Sequence, residues 1–400
     1  MKKEKVAVCK RNGRSTKDTV KEALDLIGGL GAFVHSGQRV LLKPNYTGDL
    51  SPEDGAVTSP EVLEAIINCL HDVGVQDITI AEGCGCIHIG TMRIFENVGV
   101  SNLAKKYNVR LVDLNKCNFV TLTNENFREL KSVKISEGIF GYDLVINVPV
   151  IKTHAQCVAT CAVKNMKGAV APTEKRHFHA IHLHQAIADF QLILPNMLTI
   201  VDGLVGQEGM GPAEGDPVVL DLIIAGKNQV AVDGVVLSIM HIDPQLVKHV
   251  IYAAELGIGS YKLEDIDIVG EKIESFTHAF RMAETELKSY DGVEIYQQNA
   301  CSGCINSLVI ALNRMTVCGD LDKFKNLQVH LGTGKPENVQ YKNFFYIGKC
   351  GQAMYNSEAV KNENVHFIAG CAPAALEIEE RIREVYGIDR SDPLFFSKKR

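Results

Sequence analysis

The chain has 400 residues, 46% of them hydrophobic and 22% charged, values near globular averages that allow folding without disulfides or an obligate partner. That length exceeds one ordinary core, so two domains are expected. The net charge of −6, with no basic block beyond the short tail Ser397-Lys398-Lys399-Arg400, argues against a nucleic-acid or acidic-membrane surface. Met1–Lys5 is charged, but only the short run Val6–Cys9 follows it, not the apolar core of a signal peptide. The apolar run Leu144–Ile151 is interrupted by Asn147 and Pro149 and falls far short of a bilayer span. A cytoplasmic location is therefore expected.

Along the chain, strand and helix patterns alternate. Val6–Cys9 and Arg39–Leu42 read as buried strands around a helix from Thr16 to Ile27. The run Gly28-Gly29-Leu30-Gly31 follows that helix, which suits a helix C-terminal loop and not a nucleotide-binding turn. A helix is predicted over Pro60–Val73, with Ser59 as N-cap and Pro60 in its first turn. Asp77–Ala81 is the next strand, then a glycine-rich turn at Glu82–Gly90, a helix over Phe95–Tyr107 and strands at Arg110–Asp113 and Leu144–Val148. Further on come a helix over His179–Leu192, a strand at Leu198–Val201, a Gly- and Glu-rich loop from Gly203 to Asp216, strand Leu222–Ala225, helix Ala231–Met240 and strand Ile266–Val269. Repeated βα units of this kind imply an α/β fold with mostly parallel sheets flanked by helices, Rossmann-like.

Three segments are expected: a first domain over 1–275, a charged helical connector over 276–292, and a small α/β domain over 293–400. In the last, Val293–Gln297, Leu327–Leu331, Asn343–Ile347 and Val365–Ala369 read as strands, with helices reaching to about Asn313 and through Tyr386.

Twelve cysteines in a chain expected in a reducing compartment call for an explanation. Cys9, Cys69 and Cys318 read as small apolar core residues. Cys301, Cys304, Cys350 and Cys371 each fall just beyond a predicted strand, where open parallel sheets collect their ligands. Ser302-Gly303, Gly348, Gly351 and Gly370 leave room for the backbone to approach. Four thiolates on one rim suit an iron–sulfur cluster, with [4Fe–4S] the expected type, because four cysteines saturate a cubane. Zinc is the alternative, although its cysteines usually come as two close pairs, and Cys350 and Cys371 stand singly.

A second constellation lies mid-chain. Lys152, His154, Lys164, Lys167, Arg176 and His179 crowd into a short stretch, where such groups would hold a carboxylate or phosphate and move protons near neutral pH. Lys43 and Asn45 close a buried strand and suit substrate contact. Cys157 and Cys161, one helical turn apart, could join His154 on a metal or simply pack. Cys84, Cys86 and His88 sit in a strand-end turn with the same two readings. Glu208 and Glu214 fit either lid carboxylates or solvated residues.

The stretches Leu42-Lys43-Pro44-Asn45, Thr58-Ser59-Pro60, Ala81-Glu82-Gly83, Val112-Asp113-Leu114, Val148–His154, Lys164–Gly168, Val201-Asp202-Gly203 and Glu208-Gly209-Met210-Gly211-Pro212, extended by Ala225-Gly226 and Ala231-Val232-Asp233, closely resemble the domain-of-unknown-function family 362, whose members are often labelled iron–sulfur-centre proteins. Many relatives attach a ferredoxin-type cysteine repeat; this chain has the dispersed four-cysteine domain instead. A fainter similarity, in the spacing of His154, Lys164 and His177 or His179, is to the nickel-pincer lactate racemases, and it implies that chemistry occurs in the first domain's cleft.

The resulting expectation is an iron–sulfur oxidoreductase or lyase, working on a small anionic metabolite at an interdomain cleft. His154, Lys164 and His179 are the catalytic candidates, and Lys43, Asn45, Lys152 and Arg176 the substrate-binding ones. A ferredoxin-like electron partner is expected, with neither nucleic acid nor membrane, and a homodimer stays open. Two rivals remain: an electron carrier or redox sensor without its own substrate, and a racemase-like enzyme with a structural metal.

Overall fold

Strand residues of alternating orientation, apolar on both faces, are what bury a sheet between two helical layers. The computed structural model describes residues 3–85, 90–213, 215–284, 286–300, 302–336, 342–370, 372–373 and 375–388. The chain folds as two compact units, Met1–Ala283 and Glu284–Arg400.

The first unit begins with β1 (Glu4–Lys10), α1 (Thr16–Leu26) and β2 (Arg39–Pro44). In β2, Val40 and Leu42 enter one apolar core and Leu41 the other. Ser15 caps α1, its Oγ accepting from Asp18 N at 3.1 Å. Helix α1 ends at Gly28 and Gly29, both at positive φ, so that glycine run is the C-terminal loop its position implies. Then come α2 (Pro60–Asp72), β3 (Asp77–Glu82), α3 (Thr91–Asn97), α4 (Val100–Tyr107) and β4 (Arg110–Asp113). Ser59 Oγ caps α2 through Glu61 N at 3.1 Å. The single helix expected over Phe95–Tyr107 is two, divided at Gly99, whose φ of 87° no continuing α-helix accommodates.

A small antiparallel pair, β5 (Phe119–Leu122) and β6 (Val133–Ser136), stands apart from the main sheet. Next follow β7 (Leu144–Val148), β8 (Val150–His154), β9 (Val158–Thr160), α5 (Ala162–Asn165), α6 (Pro172–Ala180) and α7 (Leu183–Phe190). The helix expected over His179–Leu192 is interrupted at Ile181, which is extended. The unit closes with β10 (Met197–Glu208), β11 (Asp216–Gly226), α8 (Gln229–Ile239), α9 (Lys248–Glu255) and β12 (Ile266–Gly270). Half of the Gly-rich segment expected as a loop from Gly203 to Asp216 is strand, since β10 and β11 pair antiparallel as far as Glu208 and Asp216.

The main sheet runs β12-β1-β11-β10-β7-β2-β3-β4, with β8 beside β10 and β9 beside β8. Its pairings are parallel except those made by β11 and β9. One apolar core lies on each face, and Cys9 and Cys69 pack into one of them as expected.

Residues 276–284 contain no helix, which corrects the helical connector expected over 276–292. Their backbone groups are used elsewhere: Phe280 N donates to Met240 O at 3.0 Å and Arg281 O accepts from Gly209 N at 2.8 Å. Phe276 and Phe280 are buried in the first unit's core, and Arg281 pairs with Glu208. A helix would forfeit these contacts.

The second unit has β13 (Val293–Gln298), α10 (Ser302–Val317), β14 (Leu327–Gly332), β15 (Phe344–Ile347), α11 (Gln352–Ala359), β16 (Val365–Ile368) and α12 (Ala375–Val385). Its sheet is β13-β14-β15-β16, parallel throughout. The four strands therefore end on one edge.

Candidate functional site

Strands β2, β3 and β8 deliver three polar side chains into the interior. Lys43 Nζ lies 2.7 Å from Glu82 Oε2, both side chains almost wholly buried. Burial lowers the Lys43 pKa and Glu82 opposes the shift. Asn165, at the end of α5, ties the strands together: its Nδ2 donates to Asn147 Oδ1 at 2.7 Å, and its Oδ1 accepts from Asn45 Nδ2 at 2.8 Å. Lys152 Nζ donates to Asn45 Oδ1 (2.8 Å), Ala56 O (2.5 Å) and Pro212 O (3.4 Å). With no carboxylate among these acceptors, burial brings Lys152 down to about 7, helped by the charges of Lys164 and Lys43 and resisted by Glu82. The structure thus gathers Lys43, Asn45 and Lys152 as the sequence suggested, but their hydrogen bonds are made to protein groups.

Lys164 differs. It is half-buried on α5, and its ammonium makes no hydrogen bond or ion pair among the described residues. Burial lowers its pKa, while Cys157 acts the other way. His154 ends β8, and its Nδ1 accepts from the backbone N–H of Gln156 (3.0 Å) and Cys157 (3.2 Å). That arrangement places the proton of a neutral ring on Nε2. His179 and Arg176 lie on α6, but their side chains fall outside the described residues. Lys167 lies over the Phe178 ring, 5.8 Å from its centroid. Lys175, which the sequence reading passed over, is buried and donates to Gly83 O, Cys84 O and Asn115 Oδ1 at 2.8, 3.1 and 2.6 Å.

Cys157, His184 and His249 form a group able to hold a metal ion, their ligand atoms all within 4.8 Å of one another. Cys157 occupies the turn before β9, and the two histidines lie in the first turns of α7 and α9. Their rings stack at 5.7 Å and 23°. Burial lowers both imidazoles, His184 to about 4 with His182 and Lys164 adding to the effect, and His249 well below its usual range. His154 and Cys161, which the sequence offered as partners of Cys157, are not in this group. Cys161 instead lies against Asp233, whose carboxylate accepts from Ala162 N and Val163 N. His249 carried no local motif that could have marked it.

Cys84 is buried and its N–H donates to Thr91 Oγ1 at 3.2 Å, while Cys86, His88 and Glu214 lie outside the described residues. Glu208 is neither a lid nor a solvated carboxylate: it holds His278 Nε2 at 2.9 Å and Arg281 Nε at 2.8 Å.

In the second unit Cys301 and Cys371 lie outside the described residues. Cys304 is buried on α10, and its Sγ packs so tightly on Gly348 that a Cβ there would lie 2.6 Å away. Gly348 N donates to Ile368 O and Lys349 N to Gly370 O, at 2.9 and 2.8 Å. The backbone before exposed Cys350 is thereby tied to the backbone preceding position 371.

Among the described residues no helix is long and apolar enough to cross a membrane. The chain is 28% identical over 246 residues to a thylakoid-associated protein of Synechocystis sp., spanning 60% of this chain and 74% of that one. A lactate racemase apoprotein from Thermoanaerobacterium thermosaccharolyticum covers 96% of this chain and is itself covered to 81%, at 12% identity and a TM-score of 0.37. A Thermotoga maritima protein covers 60% at 13% identity and a TM-score of 0.35, and this chain spans 58% of its length. The model of a domain of unknown function, DUF362, matches residues 40–238. That match takes in Lys43, Asn45, Lys152, His154 and Lys164, and over these residues the chain is similar to the DUF362 family.

Proposed function

We propose that this protein is an iron–sulfur enzyme acting on a small anionic metabolite, a carboxylate or phosphate, with the anion bound at Lys164. The observation that carries this reading is the Lys164 ammonium, half-buried and without a hydrogen-bonding or charged partner among the described residues. Lys43 and Lys152, by contrast, are held by protein acceptors. A partly desolvated cation lacking a counter-charge is stabilised by recruiting an anion, since few other contacts offset the loss of water. Lys43, Asn45 and Lys152 then position the floor beneath the anion. His154, as its Nε2–H tautomer, and Lys164 are the groups that would move a proton, and Arg176 and His179 stay candidates for the same site.

The second unit would carry the cluster on Cys301, Cys304, Cys350 and Cys371. Support comes from the common edge on which β13, β15 and β16 end and from the close approach of Cys304 to Gly348. The cluster would supply one-electron redox chemistry.

The test uses the full chain purified without oxygen. Iron and acid-labile sulfide in cubane proportion, with a visible band altered by Cys304→Ser and by Cys350→Ser, are expected. Zinc in stoichiometric amount without iron or sulfide defeats the cluster assignment. In calorimetric titrations with inorganic phosphate and with malonate, Lys164→Ala should weaken binding at least about tenfold, the scale of one charge-assisted contact. Lys131→Ala, at an exposed position, should not. Equal affinities in the Lys164→Ala and parent proteins would remove the anion site.

A further inference from the structure

One buried and one half-buried imidazole lie close to a buried thiol, on the first turns of two helices and the turn before a short strand. Cys157 and His249 are essentially inaccessible, at 0% and 1% exposure, and His184 is half-buried. The Nδ1 atoms of both histidines are buried without a hydrogen-bond partner among the described residues. A buried polar atom left unsatisfied is costly, and two on stacked rings beside one thiol ask for a common explanation. His182 does not supply it: its Nδ1 caps the backbone at Gln185 N, 3.3 Å away, and no hydrogen bond reaches either orphaned nitrogen among the described residues.

We propose that Cys157, His184 and His249 bind a zinc-class divalent ion in the first unit, separate from any cluster on the C-terminal cysteines, and leave its fourth position open. The donor set is one thiolate and two neutral imidazoles, which suits borderline-soft metals and disfavours magnesium or calcium. Tetrahedral zinc needs its ligand atoms roughly 3.3–3.8 Å apart, given bonds of about 2.0 Å to nitrogen and 2.3 Å to sulfur. The group, within 4.8 Å at its widest, closes to that by side-chain adjustment of about an ångström. Binding releases the thiol proton of Cys157 to solvent, and the ion becomes the partner of the orphaned nitrogens. Three protein ligands with an open fourth position are the arrangement of catalytic rather than structural zinc. Lys164, whose charge is felt at Cys157, His184 and His249, borders the site, so an anion could meet both the ion and the ammonium. That last point rests on the anion reading above, whereas the metal site does not.

The test keeps the full chain and reads metal, not activity. All proteins carry Cys304→Ser and Cys350→Ser, so that C-terminal thiols do not compete. After chelation, each is titrated with cobalt(II) and then analysed for bound zinc. The parent should bind one equivalent and show a thiolate-to-cobalt charge-transfer band. Cys157→Ala should lose the band, and His184→Gln should lose at least about tenfold in affinity, while His184→Cys, which offers another soft ligand, should retain the equivalent. A natively folded parent without stoichiometric metal, judged by circular dichroism, overturns the proposal. So does His184→Gln binding metal as tightly as the parent.

Discussion

Lys152 shows how far a single residue's environment can be read from chemistry alone. Its three N–H donors all meet oxygen acceptors, so hydrogen bonding is satisfied while the charge is not. The unfolded side chain holds its proton to about 10.5, and the folded one releases it near 7. Between those values the unfolded state binds more protons, so stability should rise with pH across that window. Lys152→Met keeps the volume and removes the titration. Its pH–stability profile, from chemical denaturation at several pH values, should lose that rise. Above that window, where the lysine is neutral in both states, the variant should be destabilised by about 1–3 kcal/mol, because Asn45 Oδ1 and Ala56 O lose their donor. An unchanged slope would mean that Lys152 stays charged inside the fold.

The residue scale is also where sequence reading stopped short. Lys43 and Asn45 were legible because they close a buried strand, and Lys152 and Lys164 because basic groups crowd into one short stretch; the structure places Lys152 against Asn45 and Lys43 against Glu82. That three of them would be buried against each other was not, since the acceptors come from Ala56, Pro212 and Asn165, distant along the chain. The Cys157–His184–His249 group was half legible. Cys157 stood out by its spacing from Cys161, which suited either packing or a metal shared with His154; both cysteines pack in the core, and the potential ligands beside Cys157 are His184 and His249. Nothing next to His249 distinguishes it from a core histidine until α7 packs on α9.

At the scale of elements, the buried strands were legible from unbroken apolar runs, and the cap at Ser59 from side-chain chemistry. Helix breaks at Gly99 and Ile181 were not, because apolar periodicity continues across both. The β10–β11 hairpin was mistaken for a loop for a related reason: its glycines serve close packing. Gly206, for example, lies where a Cβ would come within 2.9 Å of Ile151 O. Gly168 is the sharper case. A Cβ there would overlap Glu82 Oε1 and come within 2.8 Å of Lys43 Nζ, the buried pair that joins β2 to β3. Gly168→Ala should therefore cost about 1–3 kcal/mol, as overpacking does, with the loss appearing in the denaturant midpoint at unchanged slope. Gly31→Ala, with nothing within 4 Å of the added carbon, is the control and should leave the midpoint nearly unmoved.

For the whole molecule, the question is where the first unit ends. Charge density suggested a boundary at 275 with a helix beyond it, since acidic and basic residues mingle through 276–292 as they do on solvated helices. Tertiary packing decides otherwise. Phe276 and Phe280 are 6% and 5% exposed and belong to the first unit's core. Arg281 bridges Glu208 and Asp216 at 2.8 and 2.5 Å, clasping the end of the β10–β11 hairpin. Burying each phenylalanine contributes about 1.5–3 kcal/mol, a large fraction of what holds an ordinary domain together. A fragment ending at Ala283 should fold with a cooperative thermal transition. One ending at Ser275 should melt several degrees lower or fail to fold. Far-UV circular dichroism of the two fragments measures this directly. Equal melting temperatures would show that the segment after Ser275 adds nothing to the first core, and the boundary would return to where composition alone had put it.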